Sequence, residues 1–356
     1  MLSLLLLSGL AWAQARPVSP AYSGNCQAPS WSPDGARLTF EVNDHEARKL
    51  ELYAYRPGGG PPAAVRPPVA AAPARTAGFT GSGGGLVIAD VAWAPPMIGR
   101  FVYTASTGTG DYDVFVEGSS TPLGSSADAE GDPTWSSDSF SIVFTSGRTG
   151  QGDLYLVDLR ALAQPPRRLT QGADAAELDA RFAPTGRALV YVSHRNGADR
   201  VMLIEDVDAP SPKPLTAAGG SQTRPTWSPD GARIAFYDHS DPNGRVDLAV
   251  IPRGGGPAQV LVKGVVPNTR GPSWTADSRH LVLVKDEDDR FDPVYAVPAD
   301  GSAQPRLIAT GTVGNADTDV VRGTDGKTWL AVAAQGLTGD ATRDFRRIFV
   351  MPLSGL

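Results

Sequence analysis

Cysteine is nearly absent from this chain of 356 residues: Cys26 stands alone, so no intrachain disulfide can form. Lys and Arg are outnumbered, 32 against 38 acidic residues, and the net charge of −6 leaves no basic stripe. That balance excludes the electrostatic footprint of a nucleic-acid or anionic-membrane binder. Long apolar runs are missing beyond Leu2–Leu10, which is too short to span a bilayer, so membrane insertion is not expected. No helical period of hydrophobic residues occurs anywhere. Only 20% of residues are charged and 41% are hydrophobic, which rules out a disordered polymer and supplies a large core.

Glycine and proline are abundant, 40 and 31 residues, without a collagen period. Such usage marks many turns between short strands, and the fold class expected is all-β. The Leu2–Leu10 run has the length of a signal-peptide h-region and is followed by Ala11-Trp12-Ala13 and Ala13-Gln14-Ala15, both of A-x-A form. Residues 1–15 are therefore read as a leader, although no Lys or Arg precedes Arg16. Residues 16–356 would form one domain, periplasmic or secreted. Cys26 follows Asn25 well beyond the apolar run, so a buried structural side chain is expected rather than a lipidated one.

The remainder is repetitive. Trp31-Ser-Pro-Asp-Gly35 recurs as Trp227-Ser-Pro-Asp-Gly231 and more loosely at Trp135, Phe182 and Trp274, with weak copies at Trp93 and Arg322. Apart from one gap of 62 residues, successive anchors are 42 to 48 residues apart, the period of propeller blades. Each anchor precedes a β-prone triplet, such as Ile142-Val-Phe144 or Ile234-Ala-Phe236, then a polar turn and a further strand such as Leu154-Tyr-Leu-Val157. A short fourth strand follows in most copies. This pattern predicts a seven-bladed β-propeller of four-stranded antiparallel blades, or six blades if one weak copy is incomplete. Pro-Asp-Gly suits a type I turn, and the anchor aromatic should fill the space between neighbouring sheets. The last repeat stops at its third strand, so a segment at Val18–Ser23 is expected to close the ring. The long gap carries a Pro-, Gly- and Ala-rich insertion near residues 57–85.

These repeats resemble the TolB-like, WD40-like (PD40) propeller family over nearly the whole chain, without the α/β domain that precedes the propeller in TolB. The resemblance implies a periplasmic or secreted propeller that binds other proteins, as TolB binds the peptidoglycan-associated lipoprotein. Propellers of prolyl oligopeptidases are also related, but no G-x-S-x-G elbow is present here.

In a propeller the turns between second and third strands and the links between blades gather around the channel mouth. Asp132, Asp179, His194, Arg195, Arg224, His239 and Arg270 fall there and are the candidate binding residues for a protein or peptide of the cell envelope or extracellular space. The chain would act as a monomer or as a subunit of a larger assembly. No cofactor is required by this reading. A related family, the oligogalacturonate lyases, uses a histidine-rich metal site, and His45, His194 and His239 occupy equivalent turns. The alternative is accordingly a metal-dependent polysaccharide lyase or hydrolase with an ion in or near the channel. Asp286–Asp289 lacks the loop glycine of an EF-hand and reads as a solvated acidic turn.

Overall fold

The computed structural model describes residues 15–20, 24–44, 46–47, 49–66, 87–106, 112–124, 126–172, 174–217, 220–287, 292–336 and 345–355. Every regular element among them is a strand, and the strands form seven antiparallel blades around a common axis. Both weak repeats build blades of their own, which settles the count at seven. The expected leader lies almost wholly outside the described residues, as do residues 67–86 of the expected insertion. The start of that insertion is ordinary blade: Pro57–Gly60 turn the chain, and Ala63–Ala64 is the fourth strand of blade 1.

Blade 3 shows the pattern. Glu130–Trp135 lines the axis, Ser141–Ser146 and Asp153–Asp158 follow outward, and Arg167–Arg168 forms the edge. In blade 2 the fourth strand shrinks to one bond, Leu123 N–H donating to Val114 C=O at 2.8 Å. In blades 6 and 7 the inner strand is interrupted, as Val265–Val266 with Ser273–Trp274 and as Thr312–Val313 with Thr318–Arg322.

A single blade buries only one face at a time, so stability comes from stacking. Seven apolar clusters occupy the seven seams; one example sets Val190 and Leu203 of blade 4 against Trp227 and Phe236 of blade 5. The anchor tryptophans sit inside these seams, and those of blades 2, 5 and 6 also bind across them, whereas Trp31 Nε1 is buried without an acceptor. Trp227 Nε1 donates to Arg181 C=O of blade 4 at 3.0 Å, and Trp93 Nε1 donates to Ser30 C=O of blade 1 at 3.1 Å. Trp135 departs from this by donating to Ser139 C=O in its own turn.

The turns carry out the chemistry that their sequence suggests. Gly35 N–H donates to Ser32 C=O at 2.8 Å, while Asp34 Oδ1 accepts from Ser32 Oγ at 2.6 Å and from Ala36 N–H at 3.0 Å. Gly35 has a φ of 68°, a left-handed conformation that glycine takes at little cost. Where glycine is replaced, Ser139 and Ser278 are held at 68° and 61°.

An N-terminal strand closes the ring, two residues earlier than expected. Arg16 and Pro17 pair with Val350 and Phe349 of Arg347–Leu353, and Val18 N–H donates to Ile348 C=O at 2.8 Å. Ser19, buried in the seam, accepts the Ile348 N–H at 2.9 Å through its hydroxyl, and its carbonyl accepts from Arg347 Nη2 at 2.7 Å. Residues 21–23 of the expected segment lie outside the described residues. Cys26 is buried in that seam, and its burial pushes the thiol up to about 11, where it is inert near neutrality.

Candidate functional site

Each inner strand carries one residue three places before its anchor that turns toward the axis. Around the ring these are Ala28, Asp90, Asp132, Asp179, Arg224, Gly271 and Asp319. The first six have positive φ, from 49° at Ala28 and Asp132 to 95° at Gly271. Registers slip at this point in the inner strands of blades 1 to 5, so the residue sits in a β-bulge that re-aims its side chain. Aspartate tolerates the left-handed region better than most residues, because its short side chain can bond locally. The local backbone thus selects aspartate, and seven-fold repetition gathers these aspartates at one level.

Four carboxylates from that level meet Glu41 of the second strand of blade 1, and three guanidiniums answer them: Arg181, Arg224 and Arg270. Arg224 Nη1 lies 3.3 Å from Asp179 Oδ1, and its backbone N–H also donates to Asp179 at 3.3 Å. Asp319, Glu41 and the neighbouring Asp317 spend oxygens on backbone N–H groups. Asp319 accepts from Trp31 N–H at 2.6 Å, Glu41 from Asp90 N–H at 3.3 Å, and Asp317 from Ala28 N–H at 2.8 Å. Asp317 also accepts from Thr269 N–H at 2.5 Å, tying blade 7 to blades 1 and 6.

With more acids than bases enclosed, ionisation is opposed. Burial, then the Asp90 and Asp179 charges, raise Asp132 to about 7. Burial and Asp90 raise Glu41 to about 7, and burial raises Asp319 to about 6. Asp90 moves up as well, for burial first, with Arg270 and Arg224 opposing. Its own surface nevertheless remains exposed, because it faces the channel space while protein surrounds it at longer range. The void between these side chains holds about 20 Å³, room for about one water.

Of the residues expected from sequence, Asp132, Asp179, Arg224 and Arg270 come together here. His194, Arg195 and His239 do not. His194 Nδ1 meets Asp199 at 2.6 Å on the exposed turn of blade 4, and His239 Nε2 meets Thr223 Oγ1 at 2.9 Å on blade 5. Ser221 Oγ donates to the other oxygen of Asp199 at 3.0 Å. Asp199 stands between histidine and serine, so the histidine does not face the hydroxyl as a nucleophile's base must. His45 lies outside the described residues, as do Asp288 and Asp289 of the acidic turn. Among the described residues no three His, Cys, Asp or Glu side chains come together as a metal site. Sequence reasoning missed Glu41, Asp90, Arg181 and Asp319. The offset from the anchor would have found Asp90 and Asp319; Glu41 has no such signal.

Fold and site together define a seven-bladed propeller whose axis is filled by polar side chains. The sequence profile of the TolB beta propeller domain matches residues 109–317, more than half of the chain, and the protein belongs to that family. Among solved structures, TolB from Acinetobacter baumannii shares 22% identity, with a TM-score of 0.52 over 80% of this chain and 65% of that one. An oligogalacturonate lyase from Vibrio parahaemolyticus gives a TM-score of 0.62 at 10% identity, covering 94% and 92% of the two chains. The Cps50 (Swd1) propeller domain of Myceliophteria thermophila gives 0.58 at 11%, covering 96% and 100%. At these identities the likeness is one of fold. Among curated proteins none matches.

Proposed function

We propose that the protein is a non-catalytic binding scaffold of the periplasm or secreted space that engages a protein or peptide at the channel mouth. The carrying observation is the ring of Asp90, Asp132, Asp179 and Asp319 with Arg181, Arg224 and Arg270 around the axis. It offers both signs of charge from rigid strands, as charge-complementary recognition requires. The void between Glu41, Asp90, Asp132 and the three arginines is only about 20 Å³, so a partner would meet these side chains from outside the void. Membership in the TolB propeller family supports the reading, as does the apolar leader for the location. No helix among the described residues is long and apolar enough to cross a membrane.

Crosslinking in native envelope and secreted fractions, followed by mass spectrometry, tests this. Wild-type protein should recover a protein partner whose yield falls at least about tenfold with Arg224→Glu, the cost of one truncated or reversed interfacial charge. Recovery of no partner, or equal recovery by the variant, would remove the proposal. Stoichiometric transition metal in purified protein, lost in His194→Ala and His239→Ala, would instead favour the metal-dependent lyase or hydrolase reading.

A further inference from the structure

A second site lies off the axis, in a cleft of about 450 Å³ at the seam of blades 3 and 4. Glu177 forms its deep end and is 5% exposed. One of its oxygens accepts a hydrogen bond from Ser193 Oγ at 3.3 Å, while the other, Oε2, is buried with no donor. Oε1 is the oxygen that faces the gap beside Gly172, so a cationic donor entering the cleft would bind there. At the mouth stands Arg195, exposed and without an ion pair among the described residues. Arg195 Nη2 and Glu177 Oε1 lie 3.4 and 3.6 Å from the point a Cβ would occupy on Gly172. The absence of a side chain at Gly172 therefore keeps open the gap that separates the two unpaired charges. The aromatic ring of Tyr191, with Met202 and Pro212, supplies an apolar wall.

We propose that this cleft binds a free α-amino acid with an apolar side chain, its ammonium on Glu177, its carboxylate on Arg195 and its side chain against Tyr191 and Met202. Neighbouring cationic and anionic groups on one small molecule match a deep acid and a rim base that do not reach each other. A simple cation would have to pass Arg195, and a simple anion would leave Glu177 unanswered. Burial and Asp153 raise Glu177 to about 7, and an ammonium placed on it would hold it ionised.

Isothermal titration calorimetry at pH 7.5 with L-leucine, L-methionine and L-phenylalanine tests the assignment. At least one should bind saturably with one site per chain. Its N-acetyl derivative, which lacks the ammonium, and its amide, which lacks the carboxylate, should each bind at least about tenfold more weakly, the scale of one charge-assisted contact. Glu177→Gln, Arg195→Ala and Gly172→Val should weaken binding to the same extent, with unchanged melting temperatures confirming that each variant folds. Gly172 has no positive φ, so valine suits its backbone angles, but the new Cβ would stand 3.2 Å from Ala175 Cβ and push it by a few tenths of an ångström, so this variant counts only if its melting temperature is unchanged. No binding by any of the three amino acids, an N-acetyl derivative binding as tightly as its parent, or wild-type affinity in the folded Glu177→Gln variant would each overturn the proposal. Arg224→Glu should retain amino-acid binding, so the fate of the channel partner leaves this result untouched.

Discussion

The two ends of the inner strands treat aspartate in opposite ways. At the outgoing turn, Asp34, Asp138, Asp230, Asp277 and Asp325 accept local hydrogen bonds and lie near water, and all five are held below the usual carboxylate range. At the channel end, Asp90, Asp132 and Asp319 are enclosed with other acids and are pushed above it. The residue type is the same, and the strand separates a donor-rich exterior from an acid-rich axis. The turns stabilise the fold; the channel stores unfavourable charge, as sites of recognition commonly do.

The anchor that joins these two ends sets the largest expected effect. Trp227→Ala removes a buried ring and its bond to Arg181 C=O, and should cost about 3–5 kcal/mol, lowering the melting temperature by roughly 10 °C in calorimetry. A drop below about 2 °C would mean that the seam is not what holds neighbouring blades together.

The next effect separates the ends by pH. Lowered carboxylates contribute stability that is present above their unfolded value of 3.8 and is lost as pH falls through their folded values. Raised carboxylates contribute stability that is complete below their unfolded values and is lost as pH rises through their folded values, here about 6 for Asp319 and about 7 for Asp132 and Glu41. Thermal stability should therefore peak on the acidic side of neutrality and decline toward pH 8. Asp132→Asn should flatten that decline and raise the melting temperature at pH 8 by a few degrees, about 2–4 °C per kcal/mol. A decline as steep as the wild type's would show that Asp132 does not carry it.

A smaller effect belongs to the turn. Asp230→Ala deprives Ser228 Oγ and Ala232 N–H of their acceptor and should cost about 1 kcal/mol near neutrality, read from denaturant midpoints. The smallest is a gain: Ser139→Gly relieves a left-handed serine and should add roughly 0.5–1 kcal/mol, measured by the same unfolding curves. A loss at Ser139 would show that its side chain matters more than its backbone.

The repeat was legible because its signals are local. Proline, aspartate and glycine within five residues specify a turn wherever they occur, and β-prone triplets at a fixed offset specify the next strand. The weak copies at Trp93 and Arg322 still form blades, since seam packing tolerates a changed anchor when the strands behind it are apolar. Half of the channel was legible as well, through Asp132, Asp179, Arg224 and Arg270. Glu41 was not, because a lone glutamate in Leu38–Asp44 looks like any solvent-facing residue until the bulge beside Asp90 gives it a donor. His194 and His239 share an offset from their anchors in sequence, yet they engage different partners in space.

By itself the sequence determined the turns, the repeating strands and the need for a closing segment, and narrowed the ring to six or seven blades, because each rests on contacts within one repeat or on the arithmetic of repeats. Only the tertiary structure decided that the acids meet three arginines around the axis, and that Glu177 and Arg195 face each other unpaired across Gly172. Those outcomes depend on closing seven bulged strands around one axis and stacking blade on blade, which brings residues far apart in the chain into one dielectric environment.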